Sequence, residues 1–493
     1  MKVTWTNDSL EGSKAALVAI PFRKGGPNPA FERLDRKSRG ALKELAREER
    51  FKGDQNRIIV WRSGRKGLPK RIAVVGMGKS SGAGVWRRMF GRVVELAARH
   101  QLRGAVAIFV DGPDEETRSR EITWAVEGLI LGSYRFTTHR TDRPSGTPPG
   151  NGRVAVFAPK EPVVAAKSVV VKARARAESV VLCRDLVNEP ANVLNPAEFA
   201  ARARALAEDA GLECKVLDRA ALAKKGMNLI VAVGQGSSNE PRFVHLIYKP
   251  ADRSGRRIAL VGKGVTFDTG GLCLKPGKPM AEMKTDMAGA AVVLSTMAAL
   301  SKLGVTAEVH GLIPLAENSV NGQAYRPSDV FKAYSGITVE VVNTDAEGRL
   351  LLADALAYAT ELDPDEIVEH ATLTGACVVA LGMHRAGLMG TDNLLCESYL
   401  TAAQRAGELM WRLPLASELE GDIKSDVADV RNVGGRWGGA ITAGLFLKRF
   451  VKKTPWIHVD IAGPARAEKG TPLTRRGGTG FGVLSCLSYL ESQ

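Results

Sequence analysis

The chain has 493 residues, 44% of them hydrophobic, 25% charged and 6% aromatic, with a formal net charge of +16. That composition excludes collagen, coiled coil, a disulfide scaffold and wholesale disorder, and the length suggests two or three domains. No run approaches the roughly 18 apolar residues of a transmembrane helix, so no membrane span is expected.

The charge is uneven. Residues 1–170 hold 32 Lys and Arg against 17 Asp and Glu, a surplus of +15, and the rest carries +1. This points to a basic first domain, which is either a solvated surface or a face for a polyanion. The opening MKVTWTNDSLEGSK places charges where a secretory signal needs an apolar run. Six cysteines show no CxxC pairing and read as reduced, mostly buried thiols of a cytoplasmic protein.

In chain order, RIIVW (57–61) and RIAVVGMG (71–78) are β-branched runs around a Gly/Pro turn, which predicts a hairpin. Residues 85–100 have helical spacing, and GAVAIFV (104–110) and VAVFAP (154–159) are strands, the latter after a Pro/Gly loop at 141–153. Residues 163–188 run without a breaker and read as a linking helix. Further on, strands are expected at 228–234, 243–249, 257–262, 306–315, 337–342 and 366–373. Helices are expected at 197–210, 282–302, 350–361 and 439–451. The alternation predicts an α/β protein of two domains. A smaller amino-terminal α/β domain spans 1–160 and the linking helix 161–188. A larger carboxy-terminal α/β domain, 189–493, has a mainly parallel central sheet.

VVGMGKSSGAG (74–84) invites a nucleotide reading. Gly76, Gly78 and Gly82 are spaced one residue too long for a dinucleotide fingerprint, and Ala73 stands where a phosphate loop needs Gly. A Gly-rich strand-to-helix turn explains it better. Seven scattered histidines with no H-x-x-x-H pair argue against a histidine zinc site.

A stronger signal is VGKGVTFDTGGLCLKPGKPMAEMKTDMAGAA (261–291), which sets Lys263, Asp268, Lys275 and Asp286 among small residues after an apolar strand. A second strand ends in VVNTDAEGRLLLADAL, which supplies Asp345, Glu347 and Arg349. In open α/β sheets ligands bind at the carboxyl ends of strands. Four carboxylates crowded there repel unless protonated or neutralised. Oxygen ligands without a His/Cys set point to divalent metals, two of them, over the bland alternative of a surface salt-bridge patch.

NTDAEGRL (343–350) resembles the signature of the leucyl aminopeptidase family, the cytosolic two-metal peptidases. VGKGVTFDTGG (261–271), EMKTDMAGAA (282–291), YRPSDV (325–330), ATLTGAC (371–377), KSDVADVRNVGG (424–435), GAITAGLFLKRF (439–450) and HVDIAGPA (458–465) follow in the family's order. The resemblance covers most of residues 180–493. Residues 1–160 share only position, strand pattern and YRF (134–136).

The resemblance implies that Lys263, Asp268, Asp286 and Glu347 hold one metal. Asp268, Asp345 and Glu347 hold the other, and Lys275 and Arg349 act without ligating. The ions are Mn²⁺ or Zn²⁺, with Mg²⁺ a third choice. Two dications about 3.5–4 Å apart share a bridging water and lower its pKa towards neutrality. Lys263 ligates only as a neutral amine, a form adjacent dications favour. Lys275 helps to stabilise the oxyanion. Arg349 holds a bicarbonate that relays the proton, a fit for its planar fork. Met283, Thr372 and Ala462 line the pocket for the first side chain, with ordinary core packing as the bland reading of each. The expected activity is removal of an amino-terminal residue, Leu and other apolar residues preferred, from peptides with a free amino terminus. A cytoplasmic homohexamer is the family pattern. Trp437 in GGRWGG and Glu189 in NEPAN depart from it, and Trp437 bears on substrate preference.

Two other readings compete. A two-metal phosphatase fits the carboxylates, but the Lys263 and Lys275 spacing argues against it. Non-specific DNA binding through the basic first third rests on Arg62, Arg65, Lys66, Lys70 and Arg71 at the hairpin. Arg33, Arg36, Lys37 and Arg39 form a second cluster, and Arg87 with Arg88 opens a helix.

Overall fold

A computed structural model describes residues 2–6, 13–26, 28–79, 82–102, 105–110, 112–142, 153–157, 163–252 and 255–493. The chain divides into two compact units, 1–178 with 469–475 and 179–468 with 476–493. The division falls inside the helix Val163–Asn188. Most of the 141–153 loop, the end of the strand expected at 154–159, and Ser80 and Ser81 of the Gly-rich turn lie outside the described residues.

The first unit is built on six strands: β1 (Lys2–Thr6), β2 (Leu17–Arg23), β3 (Ile58–Arg62), β4 (Arg71–Gly78), β5 (Val106–Phe109) and β6 (Arg153–Phe157). Their order is β1-β6-β5-β2-β4-β3. All neighbours are parallel except the β3–β4 hairpin, whose register runs from Ile58 opposite Val75 to Arg62 opposite Arg71. The inner strands are continuous apolar runs because both faces are covered. Val18, Ile20, Ile72, Val74 and Ala107 share one core with Phe31 and Leu34 of the helix Pro29–Ser38. The Gly-rich segment lies between a strand and a helix, since β4 ends at Gly78 and a helix runs over Ala83–Arg99.

One expectation fails in that helix. Arg87 is not a surface cation beside Arg88. It is buried, and its Nε lies 2.6 Å from Glu127 Oε2. Arg176 reaches the other oxygen of Glu127 at 3.0 Å. The helical period turns position 87 towards the helix Glu115–Ser133, so its charge is spent on an internal partner.

The second unit contains β7 (Glu213–Leu217), β8 (Arg242–Tyr248), β9 (Arg257–Gly262), β10 (Gly264–Asp268), β11 (Glu308–Asn318), β12 (Val330–Lys332), β13 (Thr338–Glu340), β14 (Glu366–Ala371), β15 (Ala386–Gly390), β16 (Met410–Arg412), β17 (Val430–Arg431) and β18 (Trp456–Asp460). The large sheet is ordered β16-β15-β18-β14-β9-β11-β8-β7, with β10 beside β11. Its centre, β18-β14-β9-β11, is parallel, and antiparallel pairs flank it.

Two element expectations are corrected. Residues 228–234 form a helix, Asn228–Gly234, not a strand. The buried Asp354 carboxylate accepts from the N–H groups of Leu229 and Ile230 at 2.9 and 3.1 Å, which satisfies donors a helix start leaves open. Residues 282–302 are not one helix. A 3₁₀ turn, Met283–Thr285, precedes the helices Ala288–Met297 and Leu300–Leu303. That break places Asp286 at a chain turn.

Candidate metal centre

The candidate residues gather where the central parallel strands end. Lys263 follows β9, and Asp268 is the last residue of β10. Asp286 sits between the 3₁₀ turn and the helix Ala288–Met297. Glu347 is the cap residue of the helix Gly348–Thr360. An acidic group suits that helix start. Gly348 gives Lys263 its path, because a Cβ there would fall on the lysine's side chain.

Lys263 Nζ lies 2.7 Å from Asp286 Oδ1 and 3.0 Å from Glu347 Oε1, and donates to the Thr372 carbonyl at 2.8 Å. Lys275 Nζ lies 2.8 Å from Asp268 Oδ2 and also pairs with Asp345. Asp268, Asp286 and Glu347 are buried, and each offers an oxygen within 4.8 Å of the others. Asp345 is more exposed and joins them through Lys275. Burial disfavours the charge on Lys263, but Asp286, Glu347 and Asp268 outweigh it and raise its pKa. Burial is likewise overridden at Lys275, chiefly by Asp268 and Glu347. Burial, then mutual repulsion, pushes the carboxyls of Asp268, Asp286 and Asp345 up.

Asp286 Oδ2 and Glu347 Oε2 are buried without a hydrogen-bond partner among the described residues. Buried polar atoms are rarely left so, and unfilled carboxylate oxygens in a compact cluster fit a hard dication.

Arg349 is buried, and its guanidinium donates to the Asn432 carbonyl at 2.7 Å. Burial lowers its pKa to about 10. The three pocket candidates are partly buried. The Thr372 hydroxyl donates to Asp286 Oδ1 at 2.7 Å, and the Met283 carbonyl accepts from Asp286 N–H at 3.3 Å. Ala462 follows the end of β18. Trp437 is 73% exposed, with the Arg436 guanidinium 4.8 Å above its ring. Glu189 is buried, 3.5 Å from Arg202.

Three supporting residues escape a reading of the sequence. The Asn318 amide donates to Asp268 Oδ1 at 2.8 Å and to the Thr344 carbonyl at 3.0 Å. Tyr325 donates to that same carbonyl at 2.7 Å. Asn432 joins Arg349 to the 343–346 loop, donating to the Asn343 carbonyl at 2.7 Å. A polar Asn closing the long apolar β11 was the one available signal.

Residues 181–487 match the model of the cytosol aminopeptidase family, catalytic domain, and residues 19–143 that of its N-terminal domain. This chain belongs to the cytosol aminopeptidase family. It is 41% identical to a probable cytosol aminopeptidase of Persephonella marina over the whole of both chains. It is 42% identical to one of Aquifex aeolicus, covering 99% of this chain and 98% of that one. Among solved structures, a mutant of tomato leucine aminopeptidase superposes with a TM-score of 0.89 at 31% identity, over 100% of this chain and 97% of that one. The bottromycin maturation enzyme BotP in complex with Mn gives 0.85 at 36%, over 97% and 99%. The family's two-domain α/β architecture is thus the architecture here.

Proposed function

We propose that the protein is a metal-dependent aminopeptidase that removes amino-terminal Leu and other apolar residues from peptides. The observation that carries this is the buried triad Asp268, Asp286 and Glu347, in which Asp286 Oδ2 and Glu347 Oε2 lack a partner among the described residues, in a chain of this family. The triad with Lys263 and Asp345 would hold two dications, Mn²⁺ as in the BotP complex, or Zn²⁺ or Mg²⁺. Bound there, the ions supply Lewis acidity and an acidified water.

The chain's own groups do the rest. Asp268 and Glu347 would help to hold the ions through their carboxylate oxygens. Lys263 would ligate only as a neutral amine, the form that adjacent dications favour. Lys275 keeps a positive charge beside Asp268 and Asp345, placed to meet negative charge developing on a scissile carbonyl. Arg349, with one edge held by Asn432, would offer the other to a bicarbonate, an anion its planar fork fits. Met283, Thr372 and Ala462 would line a roomy apolar pocket. Such a pocket separates side chains by only about 1–3 kcal/mol per methylene, so preference is broad.

Val379, Leu394, Trp411 and Val427 are large apolar side chains left exposed, in keeping with a homohexamer. No helix among the described residues is long and apolar enough to cross a membrane. The family's name supports a cytoplasmic place.

A second reading adds DNA binding without sequence preference. Arg65 at the hairpin turn donates to the Ser38 carbonyl at 2.5 Å. This brings the exposed Arg62, Lys66 and Lys70 beside Arg36, Lys37 and Arg39. That contact supports reading the two clusters as one basic face.

Release of leucine from leucinamide tests the main reading. Turnover should vanish with a chelator and return with Mn²⁺ or Zn²⁺. Chelator-resistant turnover, or none with any dication, would sink it.

A further inference from the structure

Asp460 contributes no atom to the carboxylate cluster, yet its side chain ties together the two loops that carry Thr372 and Ala462. It ends β18 beside the end of β14, with Ala371 as its register partner. Two chain exits leave those strand ends. One is 372–374, leading into the helix Gly375–Leu381, and the other is 461–463. Asp460 Oδ1 accepts from Leu373 N–H at 3.2 Å and Ala462 N–H at 3.1 Å. Oδ2 accepts from Thr374 N–H at 3.1 Å and from the Thr374 hydroxyl at 2.7 Å. That hydroxyl accepts in turn from Cys377 N–H at 3.0 Å, capping the helix. Asp460 is fully buried, so all four of these bonds form away from water.

The consequence reaches the cluster. Thr372 immediately precedes the bonded pair Leu373 and Thr374. Its carbonyl receives Lys263 and its hydroxyl bonds Asp286. Ala462 is bonded to Asp460 directly. One carboxylate therefore sets Thr372 and Ala462 relative to each other and to the metal-ligand candidates. All four partners are donors, and only a carboxylate has acceptor sites on both arms. An amide would aim its own N–H₂ either at Thr374 or at both Leu373 and Ala462, so donors of the 372–374 loop lose their acceptor in either orientation. A donor left unpaired in so buried a place carries a desolvation penalty, which the loop relieves by moving.

We propose that Asp460 is a positioning residue for the substrate's first side chain: it fixes the spacing between Thr372 and Ala462 and so sets how sharply Leu is preferred over Ala. This rests on the aminopeptidase reading above.

The test uses full-length wild type, Asp460→Asn and Thr374→Val, each loaded with Mn²⁺. It records kcat and KM for leucinamide and alaninamide, bound metal, and melting temperature. In Asp460→Asn the Leu/Ala ratio of kcat/KM should fall about five-fold or more, mainly through a higher KM for leucinamide, at unchanged metal content. Thr374→Val removes one donor to Asp460, together with the cap on Cys377 N–H, and should shift the ratio the same way by less. If Asp460→Asn does not fold, Thr374→Val decides alone. An unchanged ratio in a folded variant, even with lower melting temperature, overturns the proposal, because Asp460 then only strengthens the fold. Loss of bound metal overturns it too, since the role would lie in the cluster. A wild type that hydrolyses neither amide overturns the aminopeptidase reading itself, and this proposal with it. Measuring the wild type alongside keeps the two failures apart.

Discussion

Lys263 Nζ lies 2.7 Å from Asp286 Oδ1, and both side chains are almost wholly out of solvent. The pair sits where Asp268 and Glu347 add two further carboxylates. A lysine there does more than fill space: its charge offsets their repulsion. Lys263→Met should therefore destabilise the metal-free protein by about 3–5 kcal/mol, the range for removing one partner of a buried pair. Urea unfolding measures it, and added Mn²⁺ should restore part of the loss. An unchanged midpoint would show that the carboxylates need no cation.

Lys275 touches Asp268, the last residue of β10, and Asp345 in the 343–346 loop. Lys275→Ala should lower kcat far more than it raises KM, by up to about 2.7–4 kcal/mol, because its interaction grows with developing negative charge. Arg349→Ala should be milder, since water or another anion replaces bicarbonate in part. Steady-state kinetics on leucinamide separate the two. A large KM effect at constant kcat would make Lys275 a substrate-binding group only.

Burial, helped by the nearby His458, holds the His370 pKa down to about 3, against an ordinary 6.5. Below pH 6.5 the unfolded chain gains a proton that the folded one refuses. His370 therefore costs stability as pH falls from 6.5 towards 3. Asp354, pushed up to about 7 by burial, acts the opposite way, losing stability as pH rises from 3.8 to 7. The test is thus a difference between proteins. His370→Gln keeps a partner for Tyr399, which lies 2.7 Å from His370 Nε2. It should lose less melting temperature than wild type between pH 7 and pH 5. Parallel pH profiles would refute the assignment.

The hairpin face and the buried Arg87 predict separable effects. Replacing Arg62, Arg65, Lys66, Lys70 and Arg71 by Ser should weaken duplex DNA binding and flatten its salt dependence, by about 0.9 in log–log slope for each phosphate no longer neutralised. Arg87→Ser should lower melting temperature and leave DNA binding alone, because its charge faces Glu127. Gel shifts at two salt concentrations decide it. No wild-type shift at low salt leaves the face as solvated surface.

Much of this was legible in one sequence, for physical reasons. β3, β4, β9 and β14 are β-branched runs with clear stops, and the helix Val163–Asn188 has no breaker. Lys263, Asp268, Lys275, Asp286, Asp345, Glu347 and Arg349 stand out as charged residues clustered after apolar strands, and the resemblance implies which five of them ligate. Residues 228–234 misled because a short apolar run fits a buried strand or a buried helix equally, and the arbiter, Asp354, lies over a hundred residues away. Arg87 misled because its partner Glu127 is distant in the chain. Asn432 was hidden within KSDVADVRNVGG, since it serves Arg349 with a backbone carbonyl that any residue carries. Asp460 was hidden for the converse reason. Its donors are mainly backbone N–H groups, and only the fold brings them together.

The most direct test of the account is to measure bound Mn²⁺ and leucinamide turnover together in wild type, Asp286→Ala and Glu347→Ala. Both carboxylates present a buried, unpaired oxygen to the cluster. Each variant should remain folded, bind less metal than wild type and show no measurable turnover. Near-normal turnover with full metal content in either variant would contradict the site and the function built on it.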